Sequence, residues 1–195
     1  MRKAINQLIG LPATTLLQYY FGFKRRCLLK EPNHVILIAC YPKSASVCLT
    51  YLITEILQLK SLKVSASGGI LQDNIYLPKM IDVMLKKVVI QQHLRLTVFN
   101  RAIIERLNLR PIILVRNIFD VVVSYHDHII RAGVGPLDPD KADLSPELCK
   151  NYFRMDVEKQ IDYILDMIIP WYISFYVSWY HYTINKKDVD GYWLQ

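Results

Sequence analysis

Short, uninterrupted apolar runs constrain the fold of this chain more than any other feature of its sequence. Residues 35–40 read Val-Ile-Leu-Ile-Ala-Cys, with no polar residue among them. A strand with one face in water alternates apolar and polar residues, so a run without alternation predicts a strand covered on both faces. Similar short runs recur at residues 88–90 and 112–115. They predict the buried strands of a parallel sheet.

Stretches with helical periodicity follow the predicted strands. After the first strand, leucine and isoleucine recur at the spacing of one helix face, at Leu49, Leu52, Ile53, Ile56 and Leu57. Helices are also predicted at about 102–107, 119–131, 149–169 and 171–184, the last two separated by Pro170. Residues 133–147 contain two glycines and three prolines and predict a loop. Strands alternating with helices predict an α/β fold, a parallel sheet flanked by helices.

Length and composition predict one globular domain. The chain has 195 residues, of which 52% are hydrophobic and 21% charged. We expect a single domain over 1–195, with 1–33 as a lead-in segment. The net charge of +7 fits an anionic partner, and a solvated basic surface explains it equally well. No zinc-finger, homeodomain or RNA-recognition signature accompanies the basic residues, so nucleic acid is not a predicted partner.

The cysteines and the longest apolar stretch bear on localisation. Cys27, Cys40, Cys48 and Cys149 form no C-x-x-C pair. They predict reduced, mostly buried thiols, not disulfides or a zinc site. The stretch 161–182 is interrupted by two aspartates, a proline and a histidine, so it predicts buried helices and no membrane span. We therefore expect a cytoplasmic protein.

Polar residues follow three of the predicted strands, where open α/β sheets bind ligands. The first group lies in Tyr41–Cys48, between a strand and a helix N-terminus, whose unpaired N–H groups favour a phosphate or sulfate. Lys43 adds a positive charge there, and Ser44 and Ser46 add hydroxyl groups. The G-x-x-x-x-G-K-[ST] pattern of a Walker A loop is absent. A capping serine and a solvated lysine would explain the segment equally well.

The other two groups are Gln91–His93 and Arg116–Ser124. A guanidinium directly after a buried strand, as at Arg116, can bind a phosphate with two parallel hydrogen bonds. Ser124 lies two helical turns later. A structural ion pair between Arg116 and Asp120 is the competing interpretation. His93 taken alone is more often a structural histidine than a catalytic base.

These segments resemble the motifs of the cytosolic-type sulfotransferases. Tyr41-Pro42-Lys43-Ser44 resembles the start of the family motif Y-P-K-S-G-T-T-W. Residues 115–125, Val-Arg-Asn-Ile-Phe-Asp-Val-Val-Val-Ser-Tyr, resemble R-N-x-x-D-V-x-V-S-Y. Gln91-Gln92-His93-Leu94 resembles K-T-H-L, and Trp171 and Trp179 resemble part of a tryptophan-rich helix. The resemblance covers about residues 34–195.

The resemblance implies a fold and an activity. The fold is a P-loop-nucleotide-kinase-like three-layer sandwich. The activity is transfer of a sulfuryl group from 3′-phosphoadenosine 5′-phosphosulfate (PAPS) to a hydroxyl or amine of a small acceptor. PAPS is the implied co-substrate, and no metal is needed.

The resemblance also implies roles for individual residues. His93 corresponds to the general base, and Lys43 to the cation that neutralises charge on the departing phosphate. Arg116 and Ser124 correspond to ligands of the 3′-phosphate, and Ser124 also to a partner of Lys43. The 5′-phosphate would be held by Ser44, Ala45, Ser46, Val47 and Cys48.

Four positions depart from the family motifs, which have glycine, threonine, tryptophan and lysine where this chain has Ala45, Val47, Cys48 and Gln91. The family's later R-K-G-x-x-G-D-W-K motif has no counterpart, so the resemblance implies that the C-terminal part of the domain is missing. A truncated, inactive nucleotide-binding remnant or an interaction module is therefore the alternative to an enzyme. A small-molecule kinase is a third interpretation, disfavoured by the missing Walker pattern.

The acceptor and the oligomeric state are not predicted by the sequence. Tyr125, Tyr152, Phe153 and the aromatic residues of 171–182 could line an apolar pocket for a hydrophobic alcohol or phenol. Aromatic residues at helical spacing equally well form part of the core.

Overall fold

The computed structural model describes residues 35–65, 72–84, 86–132, 152–185 and 192–194. The strands in these ranges are β1 (Val35–Cys40), β2 (Lys60–Leu62), β3 (Val88–His93), β4 (Ile112–Leu114) and β5 (Tyr192–Leu194). The helices are α1 (Ser46–Leu57), α2 (Leu77–Val83), α3 (Val98–Arg106), α4 (Ile118–Ala132), α5 (Val157–Met167) and α6 (Ile169–Asn185), with a 3-10 turn at Tyr152–Arg154.

The five strands form one parallel sheet in the order β2-β3-β1-β4-β5. β1 lies at the centre, where Cys40 is in register with His93 of β3 and with Leu114 of β4. β2 and β5 are the two outer strands. The predicted α/β class and parallel sheet are therefore confirmed.

The central strand is buried on both faces. Leu37 and Ala39 belong to a large core that also contains residues of α2 to α6. Ile38 and Cys40, which alternate with them, pack with Leu49 of α1 in a smaller cluster on the other face. Helices cover both faces of β1, which explains why its sequence contains no polar residue.

The topology creates a crevice between β1 and β4. From β1 the chain runs through α1 to β2 on one side of the sheet, and from β4 it runs through α4 towards β5 on the other. α1 contributes to the smaller cluster and α4 to the large core, so the two helices lie on opposite faces. Adjacent strands whose connections diverge in this way leave an opening at their carboxyl ends.

Three differences from the sequence predictions concern local elements. β2 and α2 were not predicted. β2 has only three residues, Lys-Ser-Leu, and α2 has seven, so neither is long enough to show a recognisable period of apolar residues. α5 begins at Val157, not near residue 149, because the Asp156 side chain accepts a hydrogen bond from the Lys159 amide and caps the helix there.

The remaining sequence predictions concern the separation of two helices at Pro170 and the segments 1–33 and 133–147. Pro170 lies at the second position of α6, where its missing N–H breaks no helical hydrogen bond. The predicted lead-in at 1–33 and loop at 133–147 lie outside the described residues. Among the residues described, no helix combines the length and apolar character that crossing a membrane requires.

Candidate active site

A cavity of about 750 Å³ lies at the carboxyl ends of β1, β3 and β4. Its walls come from the loop after β1, the first turns of α1, the ends of β2 and β3, the start of the β4–α4 connection and one face of α4. The lining residues are Pro42, Lys43, Ala45, Ser46, Val47, Cys48, Tyr51, Lys63, Gln72, Gln91, His93, Arg116, Ser124, Tyr125 and His128.

The loop after β1 has the backbone shape of an anion-binding nest. Lys43 and Ala45 both have left-handed conformations, with φ of 65° and 64°. Ala45 is also the N-cap of α1, and no side chain caps that end of the helix. A left-handed residue followed by a helical one turns successive N–H groups towards one point, which favours a phosphate or sulfate.

The two serines of this loop have different surroundings. The Ser44 hydroxyl is buried and donates a 2.7 Å hydrogen bond to the Tyr41 carbonyl, and Ser44 is absent from the cavity lining. Ser46 is the first residue of α1, is also buried, and lines the cavity. Neither serine is the N-cap of α1, so the capping interpretation is wrong for both.

Arg116 is held next to the loop that carries Lys43. The Tyr41 hydroxyl donates to the Arg116 carbonyl and accepts from the Arg116 amide, so the ends of β1 and β4 are joined. The Arg116 guanidinium donates from Nη1 to the Lys43 carbonyl at 3.2 Å. Lys43 and Arg116 therefore share one cavity on the same side of the molecule.

The competing ion pair of Arg116 is present but loose. Nε of Arg116 lies 3.8 Å from Asp120 Oδ2, and the two side chains are 41% and 62% exposed. This separation is longer than a hydrogen bond, and so exposed an ion pair contributes little to the free energy of unfolding. Asp120 does not cap α4, because the Asn117 side-chain oxygen accepts from the Phe119 amide at the start of this helix. The guanidinium can thus contact both Asp120 and a ligand in the cavity.

His93 is the last residue of β3, where its half-buried side chain lines the cavity. Its Nδ1 lies 3.5 Å from Sγ of Cys40, the residue in register on β1. Burial raises the pKa of the Cys40 thiol to about 11, so the thiol is neutral near pH 7. The His93 amide donates to the Gln72 side chain at 3.2 Å. These contacts hold the imidazole at the cavity wall.

The face of α4 contributes Ser124, Tyr125 and His128 to the cavity. Ser124 is half-buried and lies on the same wall as Tyr125. The same helix carries His126 and His128, and the two histidines have different surroundings. His128 lines the cavity, whereas His126 forms a 2.8 Å hydrogen bond with Gln160 on α5.

The cavity is positively charged. It contains the cations of Lys43, Lys63 and Arg116, and no acidic residue is among its described lining residues. Elsewhere in the described ranges, too, no cluster of three or more histidine, cysteine or acidic side chains is arranged to hold a metal ion. The arrangement favours an anionic ligand that is held by cations and backbone N–H groups.

The structure brings the predicted site residues together, with one exception. Lys43, Ala45, Ser46, Val47, Cys48, His93, Arg116 and Ser124 all line the cavity, and only Ser44 does not. Cys48 is exposed, contrary to the expectation of mostly buried thiols, whereas Cys40 is buried as expected. The sequence did not indicate Lys63 and Gln72, because the short strand β2 and the loop before α2 carry no apolar pattern.

The aromatic residues of 171–182 serve both the core and a second cavity. Phe175 and Trp179 are fully buried, and Trp179 donates from its indole to the Leu94 carbonyl. On another face of α6, Tyr172, Tyr176 and Tyr180 line an apolar cavity of about 880 Å³. Tyr152 is also fully buried. These aromatic residues do not line the cavity that contains His93.

No protein-family model matches this chain, and neither does any curated protein or solved structure.

Proposed function

We propose that this chain is a PAPS-dependent sulfotransferase that acts on a hydroxyl or amine of a small acceptor. The observation that carries the proposal is the shared cavity of Lys43, His93, Arg116 and Ser124. These four residues come from three strand ends and one helix, and they span residues 43–124 of the sequence. They are also the residues to which the sulfotransferase motifs assign the chemistry.

The cavity offers two adjacent anion-binding positions for the nucleotide. The nest at Lys43 and Ala45 would hold the 5′-phosphosulfate through its N–H groups and the N-terminus of α1. Arg116 and Ser124 would hold the 3′-phosphate. β1 and β4 are neighbouring strands about 5 Å apart, so one nucleotide can span both positions.

The proposed transfer step gives His93 and Lys43 different roles. A ring nitrogen of His93 accepts the proton of the acceptor hydroxyl as that oxygen forms a bond to sulfur. The bond between sulfur and the bridging oxygen of the 5′-phosphate breaks, and its electron pair remains on the phosphate. Lys43 would neutralise the negative charge that develops on this oxygen. The residues thus act through positioning and charge.

We also propose that the fold is of the P-loop-nucleotide-kinase-like three-layer type. The strand order β2-β3-β1-β4-β5, the helices on both faces of β1 and the anion nest directly after β1 support this assignment. The third interpretation, a small-molecule kinase, shares this architecture. It predicts magnesium-dependent phosphate transfer from ATP, which the assay below includes as a comparison.

Calorimetry with adenosine 3′,5′-bisphosphate tests the nucleotide site. Loss of a charge-assisted hydrogen bond is worth about 1.5–3 kcal/mol, so Arg116→Ala should weaken binding roughly 10- to 100-fold. The matched control is Arg106→Ala, because Arg106 is exposed on α3 and does not line the cavity. Adenosine 5′-monophosphate should bind more weakly to the wild type and be insensitive to Arg116→Ala. No binding at millimolar nucleotide would reject the proposal.

Cys48 provides an independent readout of occupancy. Its exposed side chain lines the cavity, whereas Cys40 is buried. Bound nucleotide should therefore slow alkylation of Cys48 by iodoacetamide, measured by mass spectrometry of the peptide that contains it. Cys48→Ser identifies the peptide signal. Alkylation at an unchanged rate under saturating nucleotide would place the ligand elsewhere.

Sulfuryl transfer is tested with sulfur-labelled PAPS and a panel of small phenols, alcohols and amines. Lys43→Ala and His93→Gln should lower turnover by at least about 100-fold and leave the fold intact. Binding of the nucleotide without any transfer would favour the inactive remnant or interaction module. Transfer from ATP with magnesium, but not from PAPS, would favour the kinase.

A further inference from the structure

Four polar side chains of the cavity each stand at or after the end of a different strand, so the strand order gives their order across the cavity. Lys63 directly follows β2, His93 ends β3, Lys43 follows β1 and Arg116 follows β4. Since the sheet order is β2-β3-β1-β4-β5, His93 lies between Lys63 on one side and Lys43 with Arg116 on the other. The cation at Lys63 is therefore beyond His93 when viewed from the nucleotide positions.

The distance along the sheet separates Lys63 from the nucleotide. β2 and β4 are three strand spacings apart, about 14 Å at the usual spacing of parallel strands. Lys63 and Arg116 therefore follow the two outermost of the four strands that border the cavity, with His93 and Lys43 between them. On the Lys63 side, the cavity is also lined by the amide side chains of Gln72 and Gln91. This side is polar and cationic, unlike the apolar cavity along α6.

The residues around His93 indicate how an acceptor would enter. Gln91 precedes His93 by two residues on the same strand, and its Nε2 donates to Cys40 Sγ at 3.2 Å. Lys63 lies one residue beyond Leu62, which is in register with Ile90, so the lysine is next to the β3 segment that leads to His93. A molecule whose hydroxyl reaches His93 from this side therefore has an ammonium group beside it.

We infer that the acceptor is a hydroxy acid, whose hydroxyl is placed at His93 and whose carboxylate is bound by Lys63. This inference rests on the proposed function, because the nucleotide occupies the Lys43 and Arg116 side. None of the cavity-lining residues that the structure describes is acidic, so among them no carboxylate competes with that of the ligand. Lys63 is a specificity-determining residue in this scheme and takes no part in proton transfer.

The test compares 4-hydroxybenzoate with its neutral methyl ester as probes. Both carry the same phenol, and only the acid carries a carboxylate. Binding is measured by calorimetry on the protein saturated with adenosine 3′,5′-bisphosphate and, in parallel, on the nucleotide-free protein. An exposed ion pair predicts that the acid binds about three- to fivefold more tightly than the ester. The preference should disappear at high ionic strength.

Variants at two lysines of the same region decide the assignment. Lys63→Ala should abolish the preference for the acid, and Lys63→Glu should reverse it. Lys60→Ala is the control, because Lys60 is exposed on β2 and does not line the cavity. This variant should keep the wild-type preference.

The outcomes separate this inference from the proposed function. Equal binding of acid and ester, an unchanged preference in Lys63→Ala, or no detectable binding of either probe would overturn the hydroxy-acid assignment. Each of these results leaves the nucleotide site intact if adenosine 3′,5′-bisphosphate binds. Failure of the nucleotide to bind would reject the proposed function, and the nucleotide-free measurements would still decide whether Lys63 selects the carboxylate.

Discussion

Replacement of Ala45 by glycine should stabilise this protein. Ala45 has φ of 64° and ψ of 21°, a left-handed conformation, at the N-cap of α1. This conformation costs a residue with a Cβ about 1–2 kcal/mol. Glycine avoids that cost but has more freedom in the unfolded chain, which lowers stability by about 0.4–1 kcal/mol. The mid-range values, about 1.5 and about 0.7 kcal/mol, predict a net gain of about 0.8 kcal/mol for Ala45→Gly.

Urea denaturation measures this gain. With a slope of about 2 kcal/mol per molar urea, the unfolding midpoint should rise by roughly 0.3–0.5 M. Ala102→Gly is the matched control, because Ala102 lies inside α3, where glycine should lower stability by about 1 kcal/mol. If both variants lower the midpoint alike, the left-handed conformation of Ala45 and the nest built on it are refuted.

Three further predictions concern Tyr41, Cys40 and Asn100. Tyr41→Phe removes both hydrogen bonds to the Arg116 backbone, so it should lower the free energy of unfolding by about 1–3 kcal/mol and weaken nucleotide binding. Urea denaturation measures the first effect and calorimetry the second. Unchanged values for both would contradict the prediction. Burial raises the pKa of the Cys40 thiol from 9.0 to about 11, so the contribution of this thiol to stability is constant below pH 9 and falls between pH 9 and 11. Denaturation midpoints in that range should lose this slope in Cys40→Ala, and an identical slope in the variant would count against the buried thiol. Asn100 is fully buried and bonds the Ile75 amide and two carbonyls, so Asn100→Ala should lower stability by about 2–3 kcal/mol, which thermal denaturation would show; a shift in melting temperature near zero would contradict it.

Much of the candidate site could be predicted from the sequence, because its parts follow apolar runs. Lys43 and Arg116 each stand just after a strand whose burial shows in the residue pattern alone, and His93 ends a third such strand. Parallel strands present their carboxyl ends at one edge of a sheet, so the three residues were expected there together. The orientation of Ser44 could not be predicted, because its hydroxyl bonds a carbonyl three residues earlier and this depends on the turn geometry.

The faces of α6 that are buried were harder to predict. α6 is apolar on nearly all sides, so its sequence does not show which face meets the core and which lines the second cavity. Phe175 packs edge-on against Tyr41 after β1, and Trp179 donates to the Leu94 carbonyl after β3, so distant segments make both of them core residues. The burial of a side chain is set by its neighbours in space, and many of these are remote in the sequence.

The sequence alone determined the α/β class, the buried strands predicted at 35–40, 88–90 and 112–115, and the polar segments that follow them. These features depend on the order of apolar and polar residues within a few positions, and that order is local. Only the tertiary structure decided the strand order, which places Lys63 beyond His93 and joins Arg116 to the loop of Lys43. Strand order depends on which distant segments pair through backbone hydrogen bonds, and those bonds are the same for every residue, so no local pattern specifies them.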